Sequence, residues 1–132
     1  MTVTIDTSAL LAVLLNEKHK PAIIEATKGH DLQAPASLDA EVGNALSAMF
    51  KRGRITLEEA EQVLAQFSKI PIRRTQLRLT EAVRLAHAHD MYGYDAYILD
   101  CARQYPSTLL SLDNQLKAIA QKLGITLLEV SE

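Results

Sequence analysis

The sequence has little cysteine, no tryptophan and no long apolar run. Cys101 is the single cysteine among 132 residues, which excludes an internal disulfide and metal sites built from paired cysteines. The longest apolar run covers residues 9–15, whereas a helix that crosses a bilayer needs about 20 apolar residues. The amino terminus also lacks the basic head and cleavage site of a secretory signal. We therefore expect a cytoplasmic protein that does not enter a membrane.

A strong excess of charge is missing as well. The chain has 14 Lys and Arg against 16 Asp and Glu, a formal net charge of −2, which argues against coating nucleic acid through many phosphate contacts. Residues 51–84 carry eight basic and four acidic groups, so a basic middle region is flanked by acidic ends. With 48% apolar residues and no linkers, we expect residues 1–132 to form a single domain.

Hydrophobic patterns predict strands that alternate with helices. The predicted strands cover residues 3–6, 32–36, 70–72, 108–112 and 126–130. The predicted helices cover residues 9–15, 21–28, 37–51, 56–67 and 77–88, and two more begin near residues 94 and 116. Because parallel strands need crossover connections, this alternation favours a three-layer α/β domain with a parallel sheet. Ligands of such sheets bind at the carboxyl ends of the strands.

Four carboxylates lie where that rule predicts a site. Asp6 ends the first strand, and Glu41 lies in the first turn after the second. Asp95 opens the helix after residue 93, and Asp113 ends the fourth strand. Each precedes an apolar position of its own helix by three or four residues, so we expect it on the buried face.

Helix capping explains each of these acids taken singly. Four acids that face one point are harder to explain by capping, because two carboxylates about 5 Å apart repel by about 3 kcal/mol at an effective dielectric of about 20. A shared pocket therefore needs protonation or a cation. An all-carboxylate set suits Mg²⁺ or Mn²⁺ better than Zn²⁺, and a metal held this way can activate water for phosphoryl transfer.

Four short segments stand in a distinctive order along the chain. They are IDTSAL at residues 5–10, EVGNAL at 41–46, YDAY at 94–97 and LSLDNQL at 110–116. Together they resemble the acidic motifs of the PIN-domain ribonucleases, and within that family the VapC-like toxins of toxin–antitoxin pairs. The resemblance spans the whole chain, with Ser111 where the family usually has Thr.

The resemblance implies both a fold and an activity. The fold is a five-stranded parallel sheet in the order 3-2-1-4-5, and the activity is an endoribonuclease that depends on Mg²⁺ or Mn²⁺. It also implies a homodimer, and inhibition by a cognate antitoxin whose tail enters the acidic groove. By position, the principal metal ligands would be Asp6 and Asp95, completed by Glu41 and Asp113. Ligands and waters would be oriented by Ser8, Asn44 and Ser111.

Basic residues are the candidates for direct RNA contact. Lys51, Arg52 and Arg54 lie in a turn between two helices, and Arg73 and Arg74 follow an edge strand. Such side chains contact phosphates in many complexes. Ordinary solvated surface charge is the alternative for both groups.

Other chemistry-bearing residues are interpreted as structural. Three tyrosines near Asp95 have positions that could stack on bases, but their helical spacing favours core packing: Tyr92, Tyr94 and Tyr97. His87 and His89 diverge by about 200° on a helix and cannot share an ion. Asp100 is turned about 140° from Asp95, so we do not expect it to be a ligand. Cys101 is expected to fill the core.

Two other functions remain open. One is a catalytically inactive PIN-like module that binds RNA or protein. The other is a different metal-dependent phosphohydrolase on an α/β fold, such as a phosphatase that forms an aspartyl-phosphate. That phosphatase class needs a second Asp two residues after Asp6, where Ser8 stands. A phosphoacceptor signalling domain would need a paired acid after the first strand and a Lys after the last, and neither is present.

Overall fold

The computed structural model describes residues 1–130. Its strands are β1 (Thr2–Ile5), β2 (Asp31–Pro35), β3 (Ile72–Thr75) and β4 (Thr108–Leu110). Its helices are α1 (Thr7–Leu14), α2 (Lys20–Thr27), α3 (Leu38–Lys51), α4 (Leu57–Phe67), α5 (Leu79–His89), α6 (Gly93–Gln104) and α7 (Asn114–Lys122). Within this range no helix combines the length and apolarity needed to cross a bilayer.

The strands form one parallel sheet with helices on both faces. Their order is β3-β2-β1-β4, and the central strand β1 is paired through Val3 with Leu32 of β2 and Thr108 of β4. One apolar core packs α1 to α4 against the sheet, and a second packs α5 to α7 against the other face. The predicted three-layer α/β class with a parallel sheet is therefore confirmed.

The predicted fifth strand is wrong. Residues 126–130 form no strand, although Leu127 makes a single parallel bridge to Leu109. The Leu109 amide donates to the Thr126 carbonyl at 2.9 Å, and the Leu128 amide donates to the Leu109 carbonyl at 2.8 Å. The segment thus lies in the fifth position, but β4 has only three residues and ends at Leu110. No second residue pair extends the bridge into a strand ladder.

The third strand is shifted from its predicted position, residues 70–72. It runs over Ile72–Thr75 instead, directly after Pro71. Proline has no amide hydrogen to donate to a neighbouring strand, so regular pairing begins beyond it. The strand pairs with β2 only, which confirms its predicted edge position.

Local capping signals position several helix ends as predicted. Thr56 and Glu59 form a reciprocal capping box at the start of α4, with both hydrogen bonds at 3.1 Å. Gly53 and Gly124 follow the ends of α3 and α7 with φ of +66° and +77°. These left-handed conformations favour glycine and end a helix.

Candidate active site

Asp6 is the centre of the site at the carboxyl edge of the sheet. It directly follows β1, caps α1 and is 7% exposed. Its Oδ1 accepts hydrogen bonds from the Ser8 hydroxyl at 2.7 Å and the Ala9 amide at 3.0 Å. Its Oδ2 accepts a hydrogen bond from the Ser111 hydroxyl at 2.5 Å. The pairing of β1 with β4 brings Ser111 to this position, although it is 105 residues distant in sequence.

The surroundings of Asp6 disfavour its charge on balance. Burial raises the pKa of the Asp6 carboxyl above its usual value, and the charge of Asp113 raises it further. Hydrogen bonds from Ser111, Ala9 and Ser8 lower the pKa and offset part of the effect. A nearby cation would remove the remaining penalty.

Glu41 is held at both carboxylate oxygens. It is half-buried in the first turn of α3, where Oε1 accepts a hydrogen bond from the Thr7 hydroxyl at 3.0 Å and Oε2 one from the Ser37 hydroxyl at 2.8 Å. Burial raises the pKa of Glu41, and the charges of Asp6 and Asp95 add to that rise.

Sequence reasoning missed the two hydroxyls that orient Glu41. Ser37 could have been found from its position four residues before Glu41, because residues at that spacing meet on a helix. Thr7 offered no comparable signal, since it contacts Glu41 across 34 residues of sequence.

Asp95 is the least restrained of the half-buried acids. It lies in the first turn of α6. Burial raises the pKa of its carboxyl, and the charges of Asp113 and Asp6 raise it further. Within residues 1–130 no hydrogen bond contributes to offset that rise. Asp95 therefore keeps its oxygens free for a ligand.

Asp113 differs from the other three acids because it is exposed. Its Oδ1 caps α7 by accepting hydrogen bonds from the Gln115 amide at 2.9 Å and the Leu116 amide at 3.2 Å. The expectation that it lies on a buried face is wrong. Its charge nevertheless raises the pKa of both Asp6 and Asp95, so it belongs to the same electrostatic cluster.

We call Asp6, Glu41, Asp95 and Asp113 the acidic cluster. No three His, Cys, Asp or Glu side chains among the described residues come close enough to enclose a metal ion. Carboxylates without a counter-ion repel each other, and hydroxyls restrain two members of the cluster. The donor set still fits a hard divalent cation, because all its atoms are oxygens and Mg²⁺ keeps several waters while binding one or two carboxylates directly.

The three predicted supporting residues lie in different surroundings. Ser111 is buried and contacts Asp6. Ser8 is exposed, donates to Asp6 and accepts a hydrogen bond from the Leu112 amide at 3.2 Å. Asn44 is exposed on α3, one turn after Glu41. Hydrogen bonds among the described residues therefore join the two serines, but not Asn44, to Asp6.

The predicted RNA-contacting residues separate into free and partnered groups. Lys51, Arg52 and Arg54 are all exposed around the end of α3. Position 51 is ten residues beyond Glu41, or roughly 15 Å along a helix that rises about 1.5 Å per residue. These three residues are named the basic turn below.

Arg73 and Arg74 point to opposite faces of the sheet and contact other side chains. The Arg73 guanidinium lies 4.3 Å from the centre of the Tyr105 ring. Arg74 donates to Asp39 at 2.9 and 3.2 Å, and this hydrogen bonding lowers the pKa of the Asp39 carboxyl. The Arg74 guanidinium also lies 5.3 Å from the Phe67 ring centre. Both arginines therefore have structural partners.

Asp100 lies outside the acidic cluster, as predicted. It is 4% exposed on α6 and accepts two hydrogen bonds from Arg78, from Nε at 2.9 Å and from Nη2 at 2.5 Å. The neighbouring Cys101 is buried, as expected, and accepts a hydrogen bond from the Thr75 hydroxyl at 3.1 Å. Burial raises the pKa of the Cys101 thiol, so it is a poor nucleophile.

Comparison with known proteins gives consistent results. The profile of the family described as PIN domain matches residues 3–122. The chain is 26% identical over 115 residues to Ribonuclease VapC3 of Mycobacterium tuberculosis, a match that covers 86% of this chain and 84% of that protein.

Two solved structures share the fold. VapBC2 from Rickettsia felis, bound to a DNA fragment from its promoter, has a TM-score of 0.71 at 15% identity, covering 99% of this chain and 100% of that chain. VapC20 of Mycobacterium tuberculosis, described as a sarcin–ricin loop cleaving toxin, has a TM-score of 0.63 at 12% identity, covering 89% and 94%. At these identities the likeness is one of fold.

Proposed function

The chain belongs to the PIN domain family, and on that premise we propose that it is an endoribonuclease that depends on a divalent metal. One observation carries the proposal. Three carboxylates from separate segments, Asp6, Glu41 and Asp95, have raised pKa values at the carboxyl edge of the sheet, and the charge of at least one other acid of the cluster contributes to each rise. A structural role does not account for such mutual repulsion, whereas perturbed acids of this kind concentrate at functional sites. The similarity to a protein named Ribonuclease VapC3 supports the same activity.

Asp6 and Asp95 would be the principal ligands of Mg²⁺ or Mn²⁺, with Glu41 and Asp113 completing the set. Such an ion supplies a water of lowered pKa and neutralises charge on the scissile phosphate. Asp113 uses Oδ1 to cap α7, which leaves its Oδ2 for a ligand.

The hydroxyls around the acidic cluster orient its carboxylates. Ser8 and Ser111 hold one oxygen each of Asp6, and Thr7 and Ser37 do the same for Glu41. Hydrogen bonds of this kind fix the angle at which a carboxylate meets its ligand. Preorganised carboxylates need little rearrangement when they bind substrate and metal.

We propose further that the protein is the toxin of a toxin–antitoxin pair. The named relatives VapC3 and VapBC2 support this role. RNA would be the substrate and a small cognate antitoxin the inhibitor that occupies the acidic groove. The homodimer and the cytoplasmic location stay predictions.

Cleavage of RNA by the purified protein tests the proposal. Cleavage should require Mg²⁺ or Mn²⁺ and stop in EDTA. Asp6→Asn should abolish it with an unchanged circular dichroism spectrum. Asp31→Asn is the matched control, because Asp31 is an exposed acid at the opposite, amino-terminal end of β2. Cleavage that survives EDTA or Asp6→Asn would remove the proposed roles.

A binding module without catalysis is the second candidate. The absence of a closed set of three metal-binding side chains among residues 1–130 favours it. It predicts that RNA or a protein partner binds while no divalent ion supports cleavage. Metal titration of the wild type therefore separates the two functions.

A further inference from the structure

Tyr92 is the most exposed aromatic side chain of the described residues. The chain has only four Tyr and two Phe, and the Tyr92 side chain is 86% exposed, against 42% for Tyr94 and 40% for Phe50. The expectation that Tyr92 packs in the core is therefore wrong. The Tyr92 ring therefore presents its surface to solvent at the start of α6.

The backbone places Tyr92 close to Asp95. Tyr92 is the N-cap residue of α6, in an extended conformation, and its carbonyl accepts a hydrogen bond from the Ala96 amide at 3.1 Å. Asp95 follows in the first helical turn, and residues three apart on a helix have Cβ atoms about 5–6 Å apart. Tyr94 instead packs against Tyr97, with ring centres 6.1 Å apart. Tyr92 is thus the more exposed of the two rings beside Asp95.

Cations are scarce on this side of the acidic cluster. Residues 85–102 contain no Lys or Arg and three Asp. Of the arginines before this stretch, Arg78 is paired with Asp100 and Arg84 lies 3.6 Å from Glu81, while the exposed Arg103 follows in the last turn of α6. Residues 85–102 therefore offer no cationic side chain for a phosphate contact. Stacking on an aromatic ring remains available to them, because every base has a π-face and the interaction needs no positive charge.

We propose that Tyr92 stacks on an unpaired base of the substrate next to the scissile phosphate. The inference rests on the proposed function. Bases inside a duplex are stacked on each other and do not offer a face to a side chain. Tyr92 is then a residue that determines specificity, while the acidic cluster performs the chemistry.

Steady-state cleavage of a single-stranded oligoribonucleotide tests this role. Tyr92→Ala should raise KM by about 5- to 150-fold, equivalent to the loss of about 1–3 kcal/mol of stacking, and leave kcat unchanged. Tyr92→Phe keeps the ring and should stay within about twofold of the wild type. Leu64→Ala is the matched control, an exposed apolar residue on α4 across the sheet. An unchanged KM in Tyr92→Ala overturns the proposal.

Fluorescence gives a direct measure of stacking. The chain contains no tryptophan, so Tyr92→Trp introduces a single tryptophan, which can be excited selectively, at this position. In an Asp6→Asn background, single-stranded RNA should quench its emission, and the same strand annealed to its complement should not. Leu64→Trp in that background should respond to neither. Equal quenching by the duplex, or none by saturating single-stranded RNA, contradicts stacking.

The outcomes separate this inference from the proposed function. If the wild type cleaves RNA and Tyr92→Ala does so with the same KM, stacking is wrong and the nuclease stands. If the wild type cleaves no RNA with Mg²⁺ or Mn²⁺ but RNA quenches the Trp at position 92, the nuclease is wrong and stacking stands. The alternative is that Tyr92 packs against a second copy of the chain, and light scattering tests it. A dimer that Tyr92→Ala converts to a monomer would assign the ring to that contact and overturn the proposal.

Discussion

Helix α6 carries two shielded carboxylates with opposite surroundings. Asp95, in the first turn, faces Asp6 and Asp113 without a compensating hydrogen bond in the described chain. Asp100, five residues later, is almost fully buried and accepts two hydrogen bonds from Arg78. Burial alone therefore does not separate the paired acid Asp100 from the proposed metal ligand Asp95. The presence of a cationic partner does, because an unpaired carboxylate among like charges is retained only where a ligand can offset it.

Loss of activity should provide the largest contrast between the two residues. Asp95→Asn should lower kcat for RNA cleavage by more than about 100-fold, beyond the 10- to 100-fold loss typical of residues that only orient a ligand. Asp100→Asn should keep near wild-type kcat per folded molecule. Kinetics on samples corrected for the folded fraction by circular dichroism check the pair. Equal losses in both variants would remove the distinction.

For stability, substitution of Asp100 should have a larger effect than substitution of Asp95. Asp100→Ala removes both hydrogen bonds to Arg78 and should lower the free energy of unfolding, by less than the roughly 3–5 kcal/mol of a fully buried pair, because the Arg78 side chain is 41% exposed and can be solvated. Arg78→Met combined with Asp100→Leu should recover most of that loss, since apolar residues can replace a buried ion pair. Urea denaturation measures both. A double variant as unstable as Asp100→Ala would show that the pair itself is required.

The distinction between charges with and without a partner also applies to the basic residues. Alanine at Lys51, Arg52 and Arg54, which have no acidic partner among the described residues, should weaken RNA binding. The slope of log affinity against log salt should fall by about 0.7 for each lost phosphate contact to a single strand. Arg74→Ala is the control, because Arg74 is paired with Asp39. An unchanged slope in the triple variant would show that the basic turn does not contact RNA.

The smallest expected effect is a gain of stability in Asp95→Asn without metal. Burial and neighbouring charges raise the pKa of Asp95, so its charged form is disfavoured in the fold. An acid whose pKa is raised by folding contributes stability below its unfolded pKa, and this contribution is lost as pH rises through its folded pKa. The variant should therefore have a higher melting temperature than the wild type in EDTA at pH 7. The difference in melting temperature should vanish as the pH falls from the folded pKa of Asp95 to its unfolded pKa. A lower melting temperature at pH 7 would contradict this.

Local rules predicted much of the fold. The capping box at Thr56 and the glycine after α3 depend on residues within a single turn, so the sequence shows them directly. The prediction of a fifth strand was wrong because strand pairing depends on a partner that is distant in sequence. The partner, β4, has only three residues, and a single bridge joins it to Leu127. The prediction that Tyr92 is buried was wrong for a related reason, because helical spacing alone does not reveal which surface the fold covers.

The sequence by itself determined the fold class and the placement of Asp6, Glu41, Asp95 and Asp113 after strands or at helix starts, because periodicity and capping act over a few residues. Only the tertiary structure decided which acids have partners. Ser111 reaches Asp6 across 105 residues, and Arg78 reaches Asp100 across 22. The free energy of a buried charge depends on the groups packed around it, and those groups come from segments that only folding brings together.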